Sequence, residues 1–518
     1  MRRLSQSSRA ISAYIMVSLL VHGCGIQKQT RILTEPNKAE TLDKRSPYLK
    51  AHLRNGNVHV LSQWSVAPQG RVVSGEGTLL DANRQIIQEG KFAIPIDSVA
   101  IFETNVVQTS PSVTALPIVA GVTAAVTLVC IANPKACFGS CPTFYVSDGS
   151  KPVLQAEGFS ASVSPALEAQ DIDALYRARP TGRNLEVRMS NEALETHVLR
   201  YVNLLAARRP PNGRVFATSG GRFWQADTVI KPSSCVASEG DCLDALRAFD
   251  GRERCSPADS TDLAQRETIE VEFAAAASGD VGLVIASRQT LLSTFLFYQT
   301  LAYMGHSAAQ WLAALERGNA TTRTRAGGIG HLLGGIEVDL QDSVGNWHLA
   351  GETRETGPLA TDVRLVPLPH RANSGPLKVR LRLTRGHWRI DYVALARLGL
   401  PIEPLRLQPS AVLRNGVADD RARSLLLDRR QPLTTMPGDE YTLTYQLPDH
   451  VEAYELFLES RGYYLEWMRE EWFAEEDPAR AAMMFLDPAG ALRALAPAFK
   501  RVESEIEAVF WRSRYARQ

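Results

Sequence analysis

Ser307 has the surroundings that most resemble those of a catalytic nucleophile, in the segment Gly305-His306-Ser307-Ala308-Ala309. A nucleophile elbow holds its serine on a strained turn between a strand and a helix, within reach of a histidine base and oxyanion donors. Here Ala309 replaces the final glycine, and the preceding residues have a helical pattern. We therefore expect no enzyme, and we keep Ser307 as the one candidate should the chain prove to be a serine hydrolase.

The Cys, His, Asp and Gly clusters of the chain do not have the spacing of the common metal or cofactor motifs. The spacings Cys137-x3-Cys141 and Cys235-x6-Cys242-x12-Cys255 lack the paired C-x2-C pattern of zinc sites. Asp339 and Asp342 lack the distal Glu of a calcium-binding EF-hand, so they predict a hairpin turn. The glycine-rich stretch 327–335 lacks the G-K-[ST] ending of a phosphate loop and predicts a flexible linker. We predict neither a metal nor a cofactor.

The chain has seven cysteines, and an odd count in an exported protein usually leaves one thiol with a separate task. Cys24 stands alone near the start. The remaining six could form up to three disulfides in an oxidising compartment, or some could stay as buried thiols. These disulfide candidates are Cys130, Cys137, Cys141, Cys235, Cys242 and Cys255.

The first residues have the pattern of an export signal. Basic residues precede the apolar stretch 11–21, which is shorter than the roughly 20 residues of a membrane-spanning helix. The stretch ends in Val21-His22-Gly23-Cys24, which resembles the bacterial lipobox. This resemblance implies a signal peptide over 1–23 and a lipidated Cys24 that binds the bilayer. Gly25 in place of Asp would favour the outer membrane, and the polar residues 24–50 predict a flexible spacer.

The composition is that of a globular protein with several domains. At about 100–200 residues per domain, 518 residues predict about three domains. A formal net charge of +1 argues against a nucleic-acid partner, which would require a basic surface.

The stretch Thr114–Ala132 is uncharged and as long as a transmembrane helix. Two interpretations of the region 114–135 stay open: a packed apolar helix, or a segment within a membrane. A span would place the later cysteines across the membrane from the lipid anchor, in a reducing compartment if the anchor lies outside. The packed helix agrees better with disulfides.

Hydrophobic periodicity predicts the other elements. Strand-like alternation predicts a multi-domain, β-rich α+β fold with an antiparallel β-sandwich, and the C terminus has an amphipathic helical pattern. The predicted regions are a small β domain over 51–113, a β-rich domain with a cysteine-containing loop over 136–265, strands and a buried helix over 266–326, the β-sandwich over 327–475 and helices over 476–518.

A hairpin motif follows the uncharged stretch. Cys141-Pro142, Tyr145 and Asp148-Gly149 precede a segment containing Met189, Asn191-Glu192 and Glu195-Thr196. This pattern resembles a group of bacterial envelope lipoproteins with a "CP-aromatic-Tyr…DG" hairpin, over residues 137–205. The resemblance implies a hairpin at Asp148-Gly149 but no known activity.

Aromatic residues cluster at Tyr463, Tyr464 and Trp467, followed by Trp472 and Phe473. Exposed rings could bind a sugar or a peptide, although packing explains most such clusters. We expect a lipid-anchored envelope protein that binds, scaffolds or assembles, with envelope proteins or surface polymers as partners. The alternatives are an envelope serine hydrolase that uses Ser307 and an assembly factor that spans a membrane through 114–132.

Overall fold

The computed structural model describes residues 27–109 and 141–512, with short internal gaps. The gaps are residues 35, 47, 54–56, 68–70, 81–85, 161, 164–166, 181, 194, 277, 306–307, 309–327, 355–356, 373, 437, 451–452 and 467–474. The predictions for the signal peptide, for Cys24 and for 114–135 lie outside the described residues. Within the described residues, no helix is both long and apolar enough to cross a membrane.

The N-terminal unit is a six-stranded antiparallel sheet around a small core of Leu49, Leu61 and Phe102. Its order is β1-β6-β2-β3-β4-β5. The strands are β1 Gln27–Thr34, β2 Tyr48–Leu53, β3 Val58–Val66, β4 Val72–Leu80, β5 Ile86–Pro95 and β6 Val99–Thr109, with 3-10 turns at Pro36–Thr41 and Ile96–Ser98.

The prediction of a flexible spacer over 24–50 is wrong for the residues that the structure describes, which begin at Gln27. β1 pairs with β6 along its whole length, and Gln27 lies opposite Thr109. The 3-10 turn that follows buries Ala39. Charged residues had suggested a solvated chain, but a strand at the edge of a sheet can carry polar side chains on its open face.

The rest of the chain alternates between strands and short helices. Up to Ile402 the elements are β7 Thr143–Ser147, β8 Pro152–Glu157, β9 Ala169–Ala174, β10 Asn184–Ser190, β11 Glu195–Arg208, β12 Arg214–Thr218, β13 Phe223–Ile230, β14 Ser234–Ala237, β15 Gly240–Asp241, α1 Leu243–Leu246, β16 Arg266–Ala276, β17 Val281–Gln289, α2 Leu292–Met304, α3 Gly328–Leu333, β18 Ile336–Gln341, β19 Trp347–Thr353, β20 Asp362–Pro367, β21 Gly375–Thr384 and β22 Trp388–Ile402. They are followed by β23 Leu405–Leu407, β24 Ala411–Arg414, β25 Val417–Ala418, α4 Asp420–Leu427, β26 Leu433–Thr435, β27 Glu440–Gln446, β28 Tyr454–Glu466, α5 Pro478–Leu486, α6 Pro488–Val502 and α7 Ile506–Arg512.

Four sheets stack on one another in this larger body. The first has the order β25-β24-β27-β10-β7-β8 and packs on β23-β11-β28-β9. The second of these packs on a closed barrel, β12-β13-β22-β17-β20, and the barrel packs on β15-β14-β16-β21-β18-β19. Among the described residues, β12 and β20 form the one parallel pair.

Strands in the two inner sheets are buried on both faces. In β17 of the barrel, Leu283 and Ile285 face the core that the barrel shares with the sheet β15-β14-β16-β21-β18-β19. Val284 and Ala286 face the core that the barrel shares with the sheet β23-β11-β28-β9. A strand covered on both sides requires a continuous apolar run, which explains the sequence VGLVIA at its start. The β-rich α+β class with antiparallel sandwich packing is confirmed.

The β-sandwiches are not continuous in sequence. The strands of the region 327–475 divide between both halves of the stack: β20, β21 and β22 pair with strands of 214–289, whereas β27 and β28 pair with strands of 143–208. Alternation identifies a strand but not its partner, and these partners lie up to 293 residues apart, as for Ala169 and Gly462.

Helices α2, α3, α5, α6 and α7 form a separate apolar cluster beside the sheets. The buried helix predicted within 266–326 includes α2, which ends at Met304, and Gly305 follows with a φ of 49°. The linker predicted at 327–335 contains α3, so that part of the prediction is wrong. α5 to α7 occupy the predicted C-terminal helical region.

The cysteine-containing loop carries one disulfide, between Cys235 and Cys242. Both cysteines are buried in the core between the barrel and the outer sheet. Bonds of this kind are typical of exported proteins. Cys255, in contrast, is a half-buried thiol outside any disulfide, and burial raises its pKa.

Candidate functional site

A cavity of about 820 Å³ lies where the helices meet the stacked sheets. Its walls come from α2, α3 and α5 on one side and from both halves of the sheet stack on the other. Ligand sites commonly have volumes of about 300–1,000 Å³ and lie at junctions between structural units. The cavity therefore has the size and position of a small-molecule site.

One part of the wall is apolar and aromatic. α2 contributes Leu296 and Phe297, α3 contributes Ile329, and α5 contributes Phe485. Tyr464 of β28 reaches the cavity from the first sandwich, which is formed by the sheets β25-β24-β27-β10-β7-β8 and β23-β11-β28-β9. Its hydroxyl donates to the Ser160 carbonyl at 3.1 Å. These rings and side chains could contact an apolar ligand face.

Both arginines in the wall are already paired with carboxylates. Arg266 donates to Glu337 at 2.8 Å and also to the carbonyl of Arg382 at 3.1 Å. Arg354 donates to Glu352 at 3.1 Å, and Glu352 also accepts the Gly335 N–H. Their positive charges are therefore balanced within the wall.

Two buried carboxylates complete the side of the cavity next to the first sandwich. Glu195 lies 2.7 Å from the Nε2 of His197, and both side chains are at most 1% exposed. Glu157 accepts the Leu359 N–H at 2.7 Å. A buried carboxylate is stable only with such partners.

His387 is the buried polar side chain that this wall leaves unsatisfied. It is 2% exposed and lines the cavity, yet its ring nitrogen Nδ1 has no hydrogen-bond partner among the described residues. Burial, together with the charge of Arg266, lowers its pKa to about 3, so the ring is neutral at physiological pH. An unpartnered polar group in a cavity indicates a place for a ligand or for water.

The N-terminus of α2 lies beside this histidine. The Thr290 N–H donates to the His387 carbonyl at 2.8 Å, and the Thr290 hydroxyl donates to the Gly386 carbonyl at 2.7 Å. Leu291 caps the helix without a side-chain hydrogen bond. The N–H groups of Ser293 and Thr294, both in the cavity wall, have no partner within the described chain.

A second group of buried charges lies between β9 and β20. Arg364 contacts Asp171 at 3.4 Å and forms a closer ion pair with Asp362, which also accepts the Ala174 N–H at 2.8 Å. Neither carboxylate oxygen of Asp173 has a hydrogen-bond partner among the described residues, and the side chain is 1% exposed. Burial raises the pKa of Asp173 well above its usual value, and the charges of Asp171, Asp362 and Glu157 raise it further.

Two of the aromatic residues predicted to bind a ligand at the surface, Tyr463 and Tyr464, are buried. Tyr463 is 0% exposed and packs with Val198 and Leu465, so its role as an exposed platform is wrong. Tyr464 is 7% exposed and faces the cavity instead. Strand alternation within β28 explains both positions, because neighbouring residues point to opposite faces. Trp467 lies outside the described residues.

Several other predicted site residues lie outside the described chain, namely Cys24, Cys130, Cys137 and Ser307. The described residues just before Ser307 are helical up to Met304, whereas a nucleophile elbow follows a strand. Cys141 is buried in the core of the first sandwich. No group of three or more His, Cys, Asp or Glu within the described residues could hold a metal ion.

The hairpin motif has a structural part in the first sandwich. Asp148 Oδ1 accepts the N–H groups of Ser150 and Lys151 in the turn between β7 and β8. The Tyr145 hydroxyl donates to Glu192 at 2.9 Å. The Asn191 amide donates to the Glu195 carbonyl at 3.0 Å, which fixes the connection from β10 to β11 and thereby positions Glu195 at the cavity.

Comparison with known proteins identifies no family. No family model and no curated protein matches the chain. Among solved structures, a GH31 alpha-xylosidase from Xanthomonas citri is similar over 84% of this chain and 38% of its own length, with 8% identity and a TM-score of 0.15. The secreted serine protease VesC from Vibrio cholerae is similar over 71% and 98%, with 7% identity and a TM-score of 0.15. Likenesses this weak carry no argument about fold or function.

Proposed function

We propose that this protein is a lipid-anchored component of the bacterial envelope that binds a ligand in the cavity between its helices and its sheets. The observation that carries the binding role is the cavity of about 820 Å³ with aromatic walls and an unpartnered buried His387. A site of this size with few convergent polar groups is typical of small-molecule binding. Envelope proteins or surface polymers would supply the ligand.

The anchor is supported by the lipobox-like sequence at Cys24 and by the position of the first strand. β1 begins at Gln27, three residues after Cys24. At about 3.3–3.6 Å per residue, that tether would be roughly 10 Å long. The N-terminal sheet would therefore lie next to the bilayer. The disulfide between Cys235 and Cys242 supports an oxidising compartment.

Filling the cavity is expected to abolish ligand binding. Thr294 is a half-buried wall residue in the first turn of α2, and Thr294→Trp would place an indole in the cavity. The probe is N-phenyl-1-naphthylamine, an uncharged fluorophore that brightens in apolar sites. We expect one saturable site per wild-type chain and at least about tenfold weaker binding in the variant, which corresponds to about 1.4 kcal/mol.

The matched control is Ser424→Trp, an exposed position on α4 that is not part of the cavity wall. It adds the same indole and should leave probe binding unchanged. Equal affinities for the wild type, Thr294→Trp and Ser424→Trp would exclude the cavity as the binding site.

The strand register favours a second candidate function, an assembly factor that enters or spans the membrane through 114–132. Gln27 lies opposite Thr109, which is five residues before Thr114. The chain leading to the lipidated Cys24 and the chain leading to the uncharged stretch would therefore extend from the same end of the N-terminal sheet. That geometry would bring the apolar stretch to the bilayer surface.

Thiol labelling distinguishes the two candidates. Lys91→Cys marks an exposed site on β5 before the uncharged stretch, and Ser424→Cys marks an exposed site after it. With the outer membrane permeabilised, a membrane-impermeant maleimide should label both sites equally if the body lies on one side. Labelling of one site only, until the inner membrane is broken, would establish a span. The unsubstituted chain measures the background from native thiols.

A further inference from the structure

We propose that the cavity takes an uncharged ligand with several hydroxyl groups, of the saccharide class, and that His387 hydrogen-bonds one of those hydroxyls. The inference rests on the proposed function, because it names the ligand class for the same cavity. It is carried by four features of the wall: the state of His387, the open amides of α2, the internal pairing of the charged side chains and the aromatic rings.

His387 matches a hydroxyl group in both directions. A neutral imidazole donates from one ring nitrogen and accepts at the other, and a hydroxyl does both as well. The residue is 2% exposed, and Nδ1 of its ring has no hydrogen-bond partner within the described chain. Since burial and Arg266 keep the ring neutral, it offers this pair of roles at physiological pH.

The cavity wall that contains His387 carries both donor and acceptor groups. The N–H groups of Ser293 and Thr294 are open donors in the first turn of α2. Glu157 and Glu195 carry carboxylates in the same cavity wall, and each carboxylate has about four lone-pair sites. A polyhydroxyl ligand can use both kinds of partner, whereas an apolar ligand would leave the amides of Ser293 and Thr294 without hydrogen bonds.

The charges of the wall disfavour an anion in the cavity and a cation at His387. An anion would find both wall arginines, Arg266 and Arg354, already paired with glutamates. It would also face the carboxylates of Glu157 and Glu195. A cation at His387 would meet the positive end of the α2 dipole and the charge of Arg266. An uncharged ligand avoids both costs.

Aromatic rings provide the remaining feature of a saccharide site. Phe297 and Phe485 are half-buried, and Tyr464 lines the cavity from the opposite side. The flat face of a ring can pack on the C–H face of a sugar while the hydroxyl groups at the edge reach polar partners. The wall thus combines flat apolar faces with hydrogen-bonding groups.

The test is a glycan array that carries uncharged, acidic and amino oligosaccharides, probed with the full-length wild-type chain. Titration follows with the best uncharged binder, alongside trigalacturonate as the acidic probe and the glucosamine trimer as the basic probe. We expect binding to the uncharged glycans and at least about tenfold weaker binding to both charged probes.

Two variants connect the binding to the proposed residues. His387→Phe keeps a ring of similar size but removes its hydrogen bonds, and it should weaken binding by about tenfold or more, since an unsatisfied buried partner is costly. Ser293→Pro removes one open amide in the first helical turn, where proline is tolerated, so it keeps the test valid if His387→Phe does not fold. His348→Phe, on an exposed histidine of β19, is the matched control and should bind like the wild type.

The outcomes separate this inference from the proposed function. Uncharged glycans that bind the wild type and the His348→Phe control but not the His387→Phe or Ser293→Pro variants would support the saccharide class. Selective binding of charged glycans, or binding of N-phenyl-1-naphthylamine with no glycan at all, would overturn the inference and leave the binding cavity intact. Failure of both the glycans and the fluorophore would overturn the binding function itself.

Discussion

Replacing Arg364 by methionine is expected to lower the free energy of unfolding by about 3–5 kcal/mol at pH 7. Arg364 is 6% exposed and is the cation that faces Asp171 and Asp362 between β9 and β20. Methionine fills much of the same volume but leaves these carboxylates without a compensating charge. Removing one partner of a buried ion pair costs far more than the pair itself contributes.

Urea unfolding at neutral pH measures this effect. The matched control is Arg397→Met, whose ion pair with Asp227 is nearly half exposed on both sides. Exposed pairs contribute about 0–1 kcal/mol, so this variant should change little. If Arg364→Met lost no more stability than Arg397→Met, the buried cluster would not hold the two halves of the stack together.

Asp173→Asn is expected to make the protein more stable at alkaline pH, by at least about 1 kcal/mol. The wild-type side chain is buried without hydrogen bonds to its oxygens from the described residues. Its pKa is raised well above 3.8 by burial and by Asp171, Asp362 and Glu157, against the opposing charge of Arg364. Asparagine has the shape of the protonated acid and never ionises.

The sign of the pH dependence follows from the raised pKa. The protonated Asp173 contributes its full stability below the unfolded pKa of about 3.9, and this contribution is lost as the pH rises through the folded pKa. The advantage of the Asp173→Asn variant over the wild type should therefore grow as the pH increases.

Urea unfolding of both proteins at pH 5, 7 and 9 tests this trend. Asp227→Asn is the control, because Arg397 lowers the pKa of Asp227 and its difference from wild type should be constant over this range. A stability difference for Asp173→Asn that does not change with pH would mean that Asp173 is ionised throughout.

The sequence predicted strands well where one face is apolar. Alternation in IEVDLQ and PLKVRLRLT predicted β18 and β21, because each has one face in the core and one polar face. Alternation did not identify which strands pair with each other. β10 and β27 pair through Val187 and Leu443, and no local signal in either strand specifies a neighbour that far along the chain.

The site was much harder to predict than the fold. His387 follows the turn residue Gly386 in an ordinary hairpin sequence, and only the packing of α2 against that turn encloses its ring. Thr294 belongs to an apolar helical run that predicts a core helix, so it carries no sign of a cavity. Tyr464 belongs to the predicted aromatic cluster, and the structure places its ring in the cavity wall and not on the surface.

Intact mass spectrometry of the protein released from bacterial envelopes tests the central claim most directly. Under denaturing conditions, we expect added acyl mass that Cys24→Ala abolishes. Under native conditions, we expect a further non-covalent mass in the wild type and in Ser424→Trp that is absent from Thr294→Trp. A denatured mass without acyl groups would contradict the anchor. Identical native and denatured masses, or a bound ligand that Thr294→Trp retains, would contradict a binding protein that uses this cavity.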